Sequence, residues 1–340
     1  MRVLLAVVFS SVGLSGQVLA ERSFSDFSGL EGLQRLTTHD KEGNRLDLVG
    51  YIGGERKPVV AVVPGSLCAP LFAALDTDPP NEAYATVPML SEEERNSLDS
   101  HLIYLERRNV VSLETMRSAS EFSIEQIFKF SPCSEHHGGV TLDHRASDVI
   151  AQLSWIRQQP WAASVQVVGV SEGADVAASV AAARSDLVDA LMLIGGAGPS
   201  QFFDLATFAR QSNDIDGVKS AFSVLDQFLR SSPPTTYQGS SAERWQSFAI
   251  ANSVLDSLTK SDDPLFIAHG EKDESVPIAS ADLVAVELMR RQPQRPVFYW
   301  AFLGADHMLG TPSGSRIGEA ITQFSKWASG APVGRTFRTD

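Results

Sequence analysis

The chain has 340 residues, 43% hydrophobic and 20% charged, which is enough apolar material for a sizeable core and excludes a disordered tail-like protein. Its 41 Asp and Glu against 28 Lys and Arg leave a net charge of −13, which disfavours nucleic acid and anionic membranes, because phosphates require Lys/Arg neutralisation. Two cysteines exclude a disulfide-built scaffold and any multi-cysteine zinc module.

The first 20 residues read as a secretory signal. Arg2 precedes the apolar run Val3–Phe9, and Val18-Leu19-Ala20 places small residues before Glu21, so cleavage is expected after Ala20. The run is too short, and too interrupted by Ser10, Ser11, Gly13, Ser15 and Gly16, to span a bilayer well. No later stretch is an apolar run of spanning length, so an exported protein, periplasmic or secreted, is expected.

Leu33–Thr37 and Arg45–Val49 flank the turn Asp40-Lys41-Glu42-Gly43-Asn44, a hairpin pattern. Val59–Val63 is continuously apolar, as in a strand covered on both faces. Strands and helices then alternate. Strands are expected at His101–Leu105, Val165–Val170, Ala190–Ile194, Pro264–Ala268 and Val297–Phe302, the last of the series. Helices are expected at Thr141–Gln159, from Glu172, near 279–291 and near 316–328. Repeated βα units with buried strands predict an α/β fold, a mostly parallel central sheet with helices on both faces. Between Gly198 and Asp263 no strand pattern occurs, so residues 199–262 read as a helical cap inserted into a core of 21–198 and 263–340.

The sharpest motif is Gly169-Val170-Ser171-Glu172-Gly173, a G-x-S-x-G string that follows an apolar strand and opens a helix. A tight turn there lifts the serine hydroxyl off the sheet, the glycines avoid clashes, and the Glu172 N–H faces a developing oxyanion. The competing reading is a strand-to-helix turn with a capping serine or a bound phosphate.

In this context the sequence resembles the α/β-hydrolase superfamily over residues 33–330. That family orders its residues nucleophile, acid, histidine. The resemblance implies Ser171 as nucleophile and Asp273 as acid, in the segment His269-Gly270-Glu271-Lys272-Asp273-Glu274-Ser275-Val276-Pro277. It implies His307 as base, in Phe302-Leu303-Gly304-Ala305-Asp306-His307. Asp262, Asp263 and Glu271 compete with Asp273, and His269 reads as packing or orienting the acid loop. The second oxyanion donor would lie in Pro64-Gly65-Ser66-Leu67-Cys68, where Pro64 replaces the family's histidine, so Ser66 or Leu67 donates the N–H.

Cys68 beside that loop and Cys133 in Ser131–His137 can pair in an exported chain, as in certain periplasmic members that look similar in both places. Cys133, Glu135, His136, His137, Asp143 and His144 match no standard zinc spacing, so no metal is expected, and the triad chemistry requires no cofactor. Arg145 and Asp148 read as surface or capping ion pairs. Phe202, Phe203, Leu205, Phe208, Phe222, Leu225, Phe228 and Leu229 recur at helical spacing and read as the core of the cap, some of them lining an acyl pocket. Trp245, Phe248 and Trp300 stay open between those two roles. The expected activity is cleavage of a small carboxylic ester through an acyl-enzyme. A peptidase or amide hydrolase acting on short peptides, or a thioesterase, would use the same triad, and an inactive binding module is the rival of another class.

Overall fold

Apolar runs become strands and amphipathic runs become helices, in an order that leaves both sheet faces covered. The computed structural model describes residues 24, 27, 30–67, 69–76, 83–87, 89–108, 110–113, 116–118, 141–196, 198–330 and 334–340. The first 20 residues, Cys68, and Cys133 through His137 lie outside them, and so does the expected Cys68–Cys133 pairing.

The expected hairpin is β1 (Leu33–His39) and β2 (Arg45–Tyr51), antiparallel, with Gly43 at φ 84° in the turn. The strands β3 (Lys57–Val63), β4 (Phe72–Asp76), β5 (Ala83–Ala85), β6 (His101–Leu105), β7 (Met116–Ser118), β8 (Ala162–Val170) and β9 (Ala190–Ile194) follow. Beyond them come the two-residue ladder β10 (Thr236–Tyr237) with β11 (Ser240–Ser241), then β12 (Leu265–Gly270), β13 (Val297–Phe302), the ladder β14 (Gly310–Thr311) with β15 (Gly314–Ser315), and β16 (Arg335–Thr339). The main sheet has nine strands in the order β1-β2-β6-β3-β8-β9-β12-β13-β16, parallel from β6 to β16. A small side sheet has the order β5-β4-β7.

Two features depart from expectation. The sheet continues past Val297–Phe302, because β16 adds a parallel edge strand to β13. Arg338 lies over the Trp300 ring at 3.9 Å, and Trp300 Nε1 donates to Asp340 Oδ1 at 2.7 Å. The 199–262 segment also contains the β10–β11 ladder, too short to leave an apolar signature.

The helices are α1 (Glu92–Ser97), α2 (Leu142–Arg157), α3 (Glu172–Ala183), α4 (Gln201–Gln211), α5 (Ile215–Leu229), α6 (Ala242–Trp245), α7 (Val254–Leu258), α8 (Ile278–Arg291) and α9 (Ile317–Ser329). Because side chains alternate along a strand, β8 sends Val165 and Val167 to one core and Val168 and Val170 to the other. The first core packs against α2, α3, α7 and α8, the second against α9 and the segment around Phe24 and Phe27. Phe202, Phe228, Trp245 and Ala249 form a third cluster within 199–262. Phe222 and Leu229 do not join it as expected: they are 53% and 66% exposed on the outer face of α5. Trp300 belongs to the second core and Phe248 to the first. Among the described residues, no helix is long and apolar enough to cross a membrane.

Candidate active site

Ser171 sits between β8 and α3 with φ 55° and ψ −126°, a conformation that costs an L-residue on the order of 1–3 kcal/mol. The surroundings hold it there. Its N–H donates to Ile194 O at 2.8 Å, and its carbonyl accepts from Ala174 N at 2.8 Å. Both motif glycines are needed because backbone crosses where a Cβ would project. At Gly169 a Cβ would lie 2.5 Å from Gly173 O, and at Gly173 it would lie 2.2 Å from Val63 O. The loop after β3 comes equally close: a Cβ on Gly65 would sit 3.2 Å from Ser171 Cβ. The serine is therefore held between a helix N-terminus and that loop.

Two further loops leave the same end of the sheet, after β12 and β13. Asp273 is buried, and its Oδ1 accepts backbone N–H groups from Ser275 and Val276, each at 2.8 Å. Its Oδ2 accepts from His307 Nδ1 at 2.8 Å and lies 3.3 Å from His269 Nε2. Burial alone would raise this carboxyl, but the hydrogen bonds from His269 and His307 hold it well below the usual carboxylate range. An ionised carboxylate only accepts, so His307 donates its Nδ1–H to Asp273. His269 Nε2 also donates to Val276 O at 2.9 Å, which ties the acid loop to β12. The expected orienting role of His269 thus has a geometry. Asp262 and Asp263 lie at the opposite end of β12, and Glu271 accepts from Gly304 N, so none of the three reaches His307.

Gly195 joins the serine and histidine. It follows Ile194, the partner of Ser171 N, at φ 55°, and a Cβ on it would lie 3.0 Å from His307 Cε1 and Nδ1. Among the described residues, Ser171 Oγ makes no hydrogen bond to His307.

The side chain of Glu172 is the largest surprise. It is buried among three arginines from distant parts of the chain. Arg145 Nη1 reaches its Oε1 at 2.5 Å, Arg107 Nη2 reaches the same oxygen at 3.3 Å, and Arg244 Nη2 bonds Oε2. Arg145 Nη2 also donates to Pro64 O at 2.8 Å, and Arg107 Nη2 to Gly65 O at 2.5 Å. Burial would raise Glu172, but the Arg145, Arg244 and Arg107 charges hold it far below the usual range. Burial pushes Arg107 down to about 9, so it keeps its proton at neutral pH. Arg145 is therefore no surface ion-pair residue: its site on α2 faces the core, and only a partner 27 residues away in sequence makes its burial tolerable. Asp148, by contrast, pairs with Arg108 as an ordinary partly exposed pair.

No protein-family model and no curated protein matches the sequence. Solved structures do match. Est1E from Butyrivibrio proteoclasticus is 14% identical with a TM-score of 0.50, covering 86% of this chain and 96% of that one. The acylaminoacyl peptidase of Pyrococcus horikoshii is 15% identical with a TM-score of 0.53, covering 88% of this chain and 42% of that one. Dipeptidyl peptidase 4 of Porphyromonas gingivalis is 12% identical with a TM-score of 0.54, covering 88% and 35%. The chain has the α/β-hydrolase fold. It spans less than half of each of the two peptidases.

In this α/β-hydrolase fold the serine opens into a cavity of about 220 Å³ beneath the 199–262 segment, with Ser66, Asp175, Asp204, Phe208, Arg244 and Trp245 on its walls. Leu205 lines it too, so Leu205, Phe208 and Trp245 are the expected aromatic and apolar residues that reach it. Asp175, one turn into α3, is buried and its Oδ2 has no hydrogen-bond partner among the described residues; burial and the nearby Glu172 charge raise its carboxyl well above the usual range. Burial also lifts Asp204 to about 6, although the Ser280 hydroxyl donates to it. A second hollow of about 580 Å³ lies on the far side of His307, against Lys272, Glu274, Met308 and Pro312. Leu67 is in the loop after β3, with Ser66 between it and Gly65. Asp143 and His144 are in the first turn of α2, and His144 N donates to Thr141 Oγ1 at 3.3 Å. Among the described residues, no group of His, Cys, Asp and Glu could hold a metal ion.

Arg107, Arg244, Asp175 and Asp204 carried no motif. A charged residue at the fourth position of G-x-S-x-G was the one available signal, since the turn packs that side chain inward.

Proposed function

We propose that the protein is a serine hydrolase that cleaves a small carboxylic ester with Ser171 as nucleophile, His307 as base and Asp273 as the orienting acid. The observation that carries this reading is the Asp273–His307 hydrogen bond of 2.8 Å beside a serine in a positive-φ strand-to-helix turn. His307 Nε2 takes the Ser171 proton as Oγ attacks the acyl carbon. The tetrahedral oxyanion accepts from the Glu172 N–H and from Ser66 or Leu67. The imidazolium returns its proton to the leaving alcohol, and a water activated by the same ring releases the acid. The lack of a Ser171–His307 hydrogen bond among the described residues is ordinary for such sites before substrate aligns them. The reading is supported by hydrolase neighbours that include an esterase and two peptidases.

A peptidase reading is favoured by those two peptidases, and a thioesterase would use the same groups. We further propose residues 1–20 as an export signal, 21–198 and 263–340 as the catalytic core, 199–262 as its cap, and a Cys68–Cys133 bridge beside the oxyanion loop. We propose a small ester or short peptide as the substrate, and the acidic balance argues against nucleic acid as a partner.

A fluorophosphonate probe should label the wild type and not Ser171→Ala. Equal labelling, or none, would overturn the enzyme in favour of a binding module. p-Nitrophenyl esters compared with aminoacyl anilides and acyl thioesters separate the three activities. On exported protein, a mature N-terminus at Glu21 and no titratable thiol in denaturant are expected.

A further inference from the structure

The arginine cluster around Glu172 does more than neutralise a buried charge. On the serine-hydrolase reading, the two halves of the oxyanion hole belong to different parts of the chain: the Glu172 N–H opens α3, and the Ser66 N–H lies in the loop after β3. No main-chain ladder holds them in register, because β3 ends at Val63. The arginines bridge that gap. Arg107 bonds at once to the Glu172 carboxylate and to Gly65 O, and Arg145 to the same carboxylate and to Pro64 O.

Peptide planarity gives these bonds their consequence. Gly65 O and the Ser66 N–H belong to one rigid unit and point in opposite directions, so an acceptor held from one side aims the donor on the other. Pro64 O and the Gly65 N–H are related in the same way. We propose that Glu172, Arg107 and Arg145 are positioning residues that fix the Ser66 N–H relative to the Glu172 N–H, and that Arg244 extends this clamp to the 199–262 segment. The proposal rests on the serine-hydrolase reading and selects Ser66 over Leu67 as the second donor.

Arg244 belongs to α6, whose Ser241 cap accepts from Arg244 N at 3.2 Å. Its guanidinium lies 4.8 Å from the Phe248 ring centroid and bonds Glu172 Oε2. The segment that roofs the cavity is thus joined to the residue after the nucleophile, and the placement of that roof acts on oxyanion geometry. A guanidinium is suited to this task. Its planar fork can hold a carboxylate and a carbonyl together, which an ammonium point charge does far less well.

The test uses the full chain, with each preparation normalised by the p-nitrophenol burst so that rates refer to titrated sites. Arg107→Gln and Arg145→Gln are expected to lower kcat for a p-nitrophenyl ester by about 10²-fold, near the loss of one oxyanion donor, with KM within about threefold. Arg107→Lys should recover only part of the loss, and Arg244→Gln should lower kcat about tenfold. In the double variant Arg107→Gln/Arg145→Gln the losses should fall well short of multiplying, because both act on one loop. A kcat per titrated site within threefold of wild type in Arg107→Lys and Arg244→Gln, or losses in KM alone, would overturn the clamp. These two milder variants decide the matter if the Gln variants fail to fold. Wild type that neither labels with fluorophosphonate nor gives a burst removes the hydrolase reading instead.

Discussion

Gly173→Ala isolates the close packing that holds the turn at Ser171. The added Cβ would sit 2.2 Å from Val63 O and 2.7 Å from Pro64 O, where ordinary contact begins above 3.4 Å. The first obstacle is backbone of a central strand: Val63 pairs with Gly169 of β8, so it cannot swing aside like a side-chain tip. Relief therefore requires α3 and the β3 loop to separate by roughly 1 Å, an overpacking strain of about 1–3 kcal/mol or more. Helix propensity acts the other way, favouring Ala by up to about 1 kcal/mol, so the sign of the change is itself informative. The separation also carries the Glu172 N–H away from the loop, and, on the proposed serine-hydrolase reading, loss of one oxyanion donor is worth about 10²–10³ in kcat. Urea denaturation and ester hydrolysis per titrated site measure the two effects. Gly54→Ala is the control, since nothing lies within 4 Å of a Cβ there, and its stability should stay within about 0.5 kcal/mol. A Gly173→Ala protein as stable as wild type, with kcat within threefold, would refute the argument from close approach.

Asp273→Asn should lower kcat about 10⁴-fold, because an amide lets His307 take the wrong tautomer; a loss below tenfold in steady-state assays argues against that role. Glu106 is buried beneath Leu71 N and the Ser112 hydroxyl, and burial raises its carboxyl to about 8 from 4.5. Between those values the unfolded chain releases a proton that the fold retains, so stability falls as pH rises, by up to about 1.4 kcal/mol per unit. Glu106→Gln should flatten that slope in urea titrations at pH 5 and pH 8, and parallel slopes count against it. Deleting residues 335–340 removes β16 and uncovers the β13 edge, so light scattering should report self-association together with a lower Tm.

What the sequence disclosed follows from the range of the interaction. Continuous apolar strands such as Val59–Val63 and Ala190–Ile194 announce burial on both faces residue by residue, and each forms within a few residues of its expected limits. The placement of Ser171, Asp273 and His307 after strands β8, β12 and β13, and with it the approach of Asp273 to His307, was legible because each lies in a recognisable turn. Arg145 was not, since helical periodicity places charges outside unless a distant partner receives them, and Glu172 comes from another element. The edge strand Arg335–Thr339 alternates arginine and threonine around a single Phe, a pattern that reads as a polar tail until Trp300 is seen beneath Arg338. Phe222 and Leu229 show the converse: helical spacing identifies a stripe but not which neighbour covers it.

The 199–262 segment leaves the sheet after β9 and returns at β12, and these strands are adjacent, with Ile194 paired to Ala268. Because the two strands are parallel, the segment leaves at the carboxyl end of β9 and re-enters at the amino end of β12, where Leu265 pairs with Leu191. It is thus a crossover that spans the strand length, and the entropy of closing such a connection rises only slowly with its length. Its outer part around α5 can therefore be exchanged for a longer or shorter one, whereas Phe248 and α7 belong to the first core and have to stay. One condition travels with the graft: it must leave Arg244 beside Glu172, or the turn that follows Ser171 loses one of its three cations.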